Sequence, residues 1–252
     1  MTVLKTLENT NYRNKDIVYL KNVRISEWDI HSAGLSVIKY YKMLPEEEIV
    51  NMEKMEKHAR TVREGNLQRE NKELAKKILD GLANVRKAFA VANHIQENQI
   101  LAIKKDALFL INCIISNPSI KDIFEFREKG KYTSYIVLSG KEFYLKLDGA
   151  VDVKGISDIS REKQKQYFLK DIANFLKSAE RINQDGMFQM IKSYRTKYLS
   201  RQLPIETYRD LNTGCFHVGK YMCDSVSQDM IDDIDISQNY LNFIVPLISL
   251  VL

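Results

Sequence analysis

Two aspartates, each placed where a strand should end, bracket a long helical stretch, and that order most constrains what this chain can fold into. Trp28-Asp29-Ile30-His31-Ser32-Ala33-Gly34-Leu35-Ser36-Val37-Ile38 puts Asp29 at the end of a β-prone run and the start of a helix-like one. Ile100-Leu101-Ala102-Ile103-Lys104-Lys105-Asp106-Ala107-Leu108-Phe109-Leu110 is apolar, charged at its tip and apolar again, the pattern of a hairpin with an acid at its turn. Two carboxylates so placed can share divalent metal ions, the core requirement of metal-assisted phosphoryl or nucleotidyl transfer.

The segments around the acids follow from local pattern. Ile17-Val18-Tyr19-Leu20 and Val23-Arg24-Ile25 read as two short strands separated by Lys21-Asn22. Ser32 stands at the N-cap position of a helix to about Met43, and Pro45-Glu46-Glu47-Glu48 opens another with acids where the helix dipole favours them. From there to about Ala92 the chain is charged and helical in character, with breaks expected near Gly65 and Gly81. Arg69, Lys72 and Lys76 recur there at three- and four-residue spacing, which places three cations on one helical face; an ordinary solvated face of Glu and Lys reads the same way. Leu82, Val85, Phe89 and Ala92 have core spacing on a helix leading into the Ile100 strand.

Further along, Tyr132–Leu138 and Lys141–Leu147 form a hairpin through Ser139-Gly140, and Asp152-Val153-Lys154-Gly155-Ile156 follows. From Ser160 the pattern turns helical, first to about Ile182 with Phe168, Ile172, Phe175 and Leu176 on one side, then from Gly186 to Leu199, where Pro204 closes the block. The expected class is therefore α+β, a small antiparallel sheet with a helical insertion and a helical C-terminal part. The expected organisation is a core of residues 1–44 and 93–159, an insertion of 45–92, and a C-terminal subdomain of 160–252.

Composition sets the outer bounds. With 44% hydrophobic and 28% charged residues in a chain of 252, a globular fold with a proper core is expected. The net charge of +5 permits a nucleic-acid partner without requiring one. Cys113, Cys215 and Cys223 are too few and scattered for a disulfide framework, which points to a reducing compartment, the cytoplasm. Cys215-Phe216-His217 with Cys223-Asp224 lacks the paired spacing of a zinc site, so free thiols are expected, and Asp229–Asp235 reads as an exposed acidic loop. The polar run Met1–Asn14 has no signal-peptide character. The apolar tail from Tyr240 to Leu252 is interrupted by Pro246 and falls short of the ~20 residues of a spanning helix, so no membrane is expected. Its burial is expected within the chain, in a homo-oligomer or against a protein partner.

The first acid-bearing segment resembles motif A of the family B DNA polymerases, D-x-x-S-L-Y-P-S-I-I, with Asp29, Ser32, Ser36 and Ile38 on matching positions. The second resembles that family's motif C, Y-x-D-T-D-S, with Asp106 on its second aspartate; Lys104 replaces the first, Ala107 the serine, and Gly34-Leu35 the Tyr-Pro of motif A. The resemblance, which covers roughly residues 17–160, implies a palm-like sheet with 45–92 in the place of fingers and 160–252 in that of a thumb. It implies that Asp29 and Asp106 are catalytic and bind Mg²⁺ or Mn²⁺, that Arg69, Lys72 and Lys76 contact a nucleoside triphosphate, and that Lys154 contacts nucleic acid. Gly34, lacking the family's tyrosine ring, implies poor discrimination against a ribose 2′-OH. The function implied is template-directed nucleotidyl transfer by two-metal catalysis in a reduced polymerase. The alternative is a non-catalytic polymerase-derived or phage-encoded binding or inhibitor protein acting on nucleic acid or a protein partner, with Asp29 ion-paired to a lysine such as Lys104.

Overall fold

Strands β1 (Asn11–Arg13), β2 (Tyr19–Ile30), β3 (Ile100–Lys104) and β4 (Ala107–Ile111) lie in the order β1-β3-β4-β2. The long strand β6 (Phe124–Leu138) follows on the free side of β2, with the short β5 (Ser119–Ile120) paired to it. The computed structural model describes residues 5–138, 140–154, 163–179, 184–210, 213–237 and 239–241. The expected α+β class with an antiparallel sheet is what forms. The chain divides into two units, residues 1–17 with 23–131 and residues 18–22 with 132–252, and β2 and β6 each supply residues to both. Where two short strands were expected before Asp29 there is one, because Asn22 adopts a left-handed φ of 56° that asparagine tolerates and the strand continues past it.

In the first unit, helices α1 (Ala33–Tyr40), α2 (Glu46–Lys54), α3 (Lys57–Glu70) and α4 (Lys72–Ala92) fill the stretch between the two acids. The breaks fall at Met55-Glu56 and at Asn71, while Gly65 and Gly81 lie inside helices. Asn71 is extended, at φ −124° and ψ 98°, and its side chain accepts the Leu74 N–H, so it caps α4. Gly81 is buried where α4 approaches Val37 and Tyr41 so closely that a Cβ would collide, which offsets the ~1 kcal/mol a helical glycine costs. Leu74, Ile78, Leu82, Val85 and Phe89 form the buried stripe of α4 and meet Ile30, Val37, Ile38, Ile103, Leu108 and Phe126 in one core. Phe89 stacks on Phe126 with ring centroids 3.8 Å apart.

The second unit is built on the C-terminal half of β6, β7 (Lys141–Lys146) and β8 (Val151–Lys154), adjacent in that order. The β6–β7 hairpin expected at Ser139-Gly140 is present, with Leu138 opposite Lys141 and Gly140 at φ +76°. Helices α5 (Lys163–Ser178) and α6 (Gln184–Leu199) close the core with Phe168, Ile172, Leu176, Tyr194 and Tyr198. A two-stranded hairpin, β9 (Phe216–Val218) with β10 (Tyr221–Cys223), joins the helices of this part of the chain. The expected cap at Ser160, the Gly155-Ile156 step and the apolar tail from Asn242 onward lie outside the described residues.

Candidate active site at an acid pair

Register brings the two aspartates together. Asp29 of β2 lies opposite Ala107 of β4, and Ala107 lies opposite Lys104 of β3, which leaves Lys105 and Asp106 as a two-residue turn with Lys105 at φ 56°. β2 and β3 therefore run the same way with β4 antiparallel between them, a split β-α-β unit whose crossover is the four-helix stretch. Asp29 near the end of β2 and Asp106 just past the end of β3 thus come to one edge of the sheet. The Asp106 carboxyl comes close enough to that of Asp29 for the two to interact electrostatically. Asn11, Lys104, Ala107 and Asp29 form one row across β1, β3, β4 and β2, so their side chains share a face.

The electrostatics follow from burial and this contact. Burial pushes the Asp106 carboxyl up to about 6, the neighbouring Asp29 carboxyl adds to the rise, and the Lys129 ammonium opposes it. Lys129, on β6, donates to Asp29 Oδ2 at 3.0 Å, and that bond holds its own pKa above the usual lysine range. Glu27 is buried two residues before Asp29, so it lies on the same face of β2. Behind the turn sits Arg86 of α4, fully shielded from solvent. Its Nη1 donates to the Lys105 carbonyl at 2.6 Å, Nε and Nη2 to that of Leu7 at 3.2 and 3.0 Å, and Nη2 to that of Asn9 at 2.9 Å. Burial lowers the Arg86 pKa to about 10 against the attraction of Asp106.

The other sequence-derived residues are distributed differently. The single helical face expected for Arg69, Lys72 and Lys76 does not exist: Asn71 breaks the helix, leaving Arg69 on α3 and the two lysines on α4. Arg69 Nη2 donates to Asn66 Oδ1 at 2.5 Å, and Lys72 and Lys76 are exposed. Lys154 ends β8 opposite Glu142, in the second unit. The Asp29 ion pair is with Lys129, while Lys104, named from the sequence, donates to Asn11 Oδ1 at 3.3 Å. The space expected beside Gly34 is filled, because the Glu64 carboxylate of α3 lies where a Cβ would be. Burial raises its pKa, and Arg60, which donates to Ser32 Oγ at 3.0 Å, counters that rise.

Two site residues escaped the sequence reading, and both had a signal. Lys129 lies in Phe124-Glu125-Phe126-Arg127-Glu128-Lys129, where odd positions are charged and the phenylalanines even, so its strand face could be inferred. Arg86 falls four residues after Leu82 and three before Phe89, on the apolar stripe of its helix. Elsewhere, the Cys215 thiol donates to Asp224 Oδ1 at 3.4 Å and His217 Nε2 contacts Asp210 Oδ2 at 2.8 Å. Among the described residues, no group of three or more His, Cys, Asp or Glu is arranged to hold a metal ion. A surface cavity of about 530 Å³, lined by Tyr41, Lys42, Asn71, Lys77, Asp80 and Asn84 among others, includes neither aspartate.

Fold and site together define an α+β protein with a carboxylate pair at the tips of a split β-α-β unit, backed by a buried arginine. The chain belongs to a family of phage proteins, that of the bacteriophage PBS1 gene 130 protein, whose family model matches residues 1–252. No curated protein matches it. The family match supports a phage protein and gives no indication of a family B polymerase. Among the described residues no helix is long and apolar enough to cross a membrane.

Proposed function

We propose that this phage protein is a reduced, palm-like protein associated with nucleic acid, in which Asp29 and Asp106 hold a divalent cation, Mg²⁺ or Mn²⁺, for nucleotidyl transfer from a nucleoside triphosphate. The observation that carries the reading is convergence: strand order and register bring two carboxyls, far apart in sequence, to neighbouring strand tips at one end of the sheet. The donor set fits a hard cation, because Mg²⁺ keeps most of its water and needs only one or two carboxylates. It fits one such ion better than two, since among the described residues no group of three or more such ligands is arranged to hold a metal. When bound, the cation would supply charge neutralisation at a phosphoryl oxygen and a lowered pKa for the attacking hydroxyl. Lys129 now serves Asp29 as counter-ion and would turn toward the phosphate when a metal takes its place. Arg69, Lys72, Lys76 and Lys154 support only a diffuse contact with a polyanion. We place the protein in the cytoplasm, which its free cysteines suit.

A second reading is favoured by that same Lys129 ion pair: an acid already neutralised by a lysine suits a non-catalytic protein that binds nucleic acid or a protein partner. Mn²⁺ binding followed by electron paramagnetic resonance, with primer extension on deoxy- and ribonucleotides, separates the two. The expected outcome is that wild type binds Mn²⁺ and extends a primer, that Asp106→Asn loses about tenfold or more in Mn²⁺ affinity, and that Lys129→Met gains several-fold. Salt-sensitive retention of single-stranded DNA without Mn²⁺ binding or extension would select the second reading. Absence of all three would remove nucleic acid from the account.

A further inference from the structure

We propose that Arg86 is the positioning residue of the acid pair: its buried guanidinium pins the β3–β4 turn so that the Asp106 carboxyl meets that of Asp29. The inference rests on the acid pair being the functional site. A fully buried arginine is costly unless every donor is used well, and this one is spent on three backbone carbonyls from two distant segments. Lys105 is the residue immediately before Asp106, and Arg86 holds its carbonyl. The Lys105 N–H is held as well, donating to the Thr10 carbonyl at 2.7 Å. Leu7, Asn9 and Thr10 are one short stretch, so N-terminal strap, helix α4 and acid turn form a closed hydrogen-bonded ring with Arg86 at its hub. A two-residue turn tied at both its N–H and its C=O has little freedom to swing its acid away from β2.

The planar fork is what the geometry requires. Lysine keeps the charge but presents it as a point at the end of a flexible stem, and cannot span the Leu7, Asn9 and Lys105 carbonyls together. A merely structural arginine would stabilise the unit without controlling how the two carboxylates meet. The two roles therefore differ in what happens at Asp106 in protein that remains folded.

The test reads Asp106 directly. In wild type at fixed pH, Asp29→Asn should shift the Asp106 side-chain ¹³C carboxyl signal, and in an Arg86→Lys background that response should fall by half or more. Wild-type Mn²⁺ affinity should drop about tenfold on Arg86→Lys, as for loss of a residue that orients a metal ligand. An unchanged Asp29–Asp106 response in folded Arg86→Lys protein would overturn the proposal. A second measurement needs no variant: in native-state hydrogen exchange, the Arg86 Nε–H and Lys105 backbone N–H should open with the same protection. A Lys105 amide with a protection factor tenfold or more below that of the Arg86 Nε–H would overturn it too. Failure of wild type to bind Mn²⁺, with the carboxylate coupling and shared protection intact, would count against the proposed function alone.

Discussion

In the first unit the polar groups taken out of water include the ionisable side chains of Arg86 and Glu27, with Asp29, Asp106 and Lys129 partly shielded beside them. In the second unit many are phenols: Tyr132, Tyr135, Tyr144, Tyr194, Tyr198 and Tyr208 are all buried, with ring pairs such as Tyr198–Tyr208 at 5.1 Å. A buried tyrosine brings a large apolar body and one neutral hydroxyl, so it fills a core at modest cost. A buried charge costs several kcal/mol before its partners repay it. Burial drives the Tyr194 and Tyr198 hydroxyls far above the usual tyrosine range, so they stay neutral at any physiological pH, whereas Asp106 changes its charge near pH 6. The second unit also buries the carboxyls of Glu142 and Asp210, but each is engaged locally, Glu142 by the Tyr144 hydroxyl and Asp210 by His217. The difference teaches where to look for chemistry: the first unit gathers Asp29 and Asp106 at strand tips beside Lys129, where they can exchange protons or cations.

The contrast breaks most easily at its most buried charge. Arg86→Met should destabilise the first unit by about 3–4 kcal/mol, because three carbonyls lose a charged donor. Urea unfolding followed by the fluorescence of Trp28, the single tryptophan, which lies 6.1 Å from Phe89, would read it. A loss under 1 kcal/mol would mean the guanidinium is dispensable.

Asp106→Asn should act in the opposite direction. The folded protein holds the Asp106 proton up to about pH 6, while the unfolded chain releases it near 3.8, so between those values the native state binds more protons. The Asp106 contribution to stability is therefore greatest below pH 4 and is lost as pH rises through 6, with Asp29, Lys129 and Arg86 as its neighbours. Removing the carboxyl should return about 1–2 kcal/mol at pH 7.5, after allowance for solvent screening, and flatten the pH dependence. Urea midpoints at pH 4, 5.5 and 7.5 in both proteins would show it; parallel curves would sink the prediction. The smallest effect sharpens the other side of the comparison. Tyr208→Phe deprives the Leu203 N–H of its acceptor at 3.1 Å and should cost about 1 kcal/mol, equally at pH 5 and pH 8.

The approach of Asp29 and Asp106 was readable in advance because period-two alternation and a two-residue turn fix antiparallel register, and register fixes which strand tips meet. The lysine that completes the site was harder to assign, since Lys129 arrives from β6 across a strand pairing that no local pattern specifies. The broken face at Arg69, Lys72 and Lys76 shows the limit of spacing arguments: Asn71 can cap a helix as readily as ride within one, and tertiary packing of α3 and α4 decided. The β9–β10 hairpin had its own signal in Phe216-His217-Val218-Gly219-Lys220-Tyr221, a Gly-Lys turn between short apolar runs. The helical pattern on the N-terminal side of it masks that signal. Arg86 illustrates a different loss, since a cation on an apolar stripe is assigned to solvent until distant carbonyls are known to wait for it.

The seat of Glu64 against Gly34 ties two distant positions into one evolutionary coordinate. Any side chain at position 34 must evict the Glu64 carboxylate, so the two sites cannot drift independently. Members of the family that carry a side chain at 34 should have a shorter or neutral residue at 64, with the change at 64 coming first. An engineer seeking to place an aromatic ring at position 34 faces the same order of steps, because the door at Gly34 opens only after Glu64 has left.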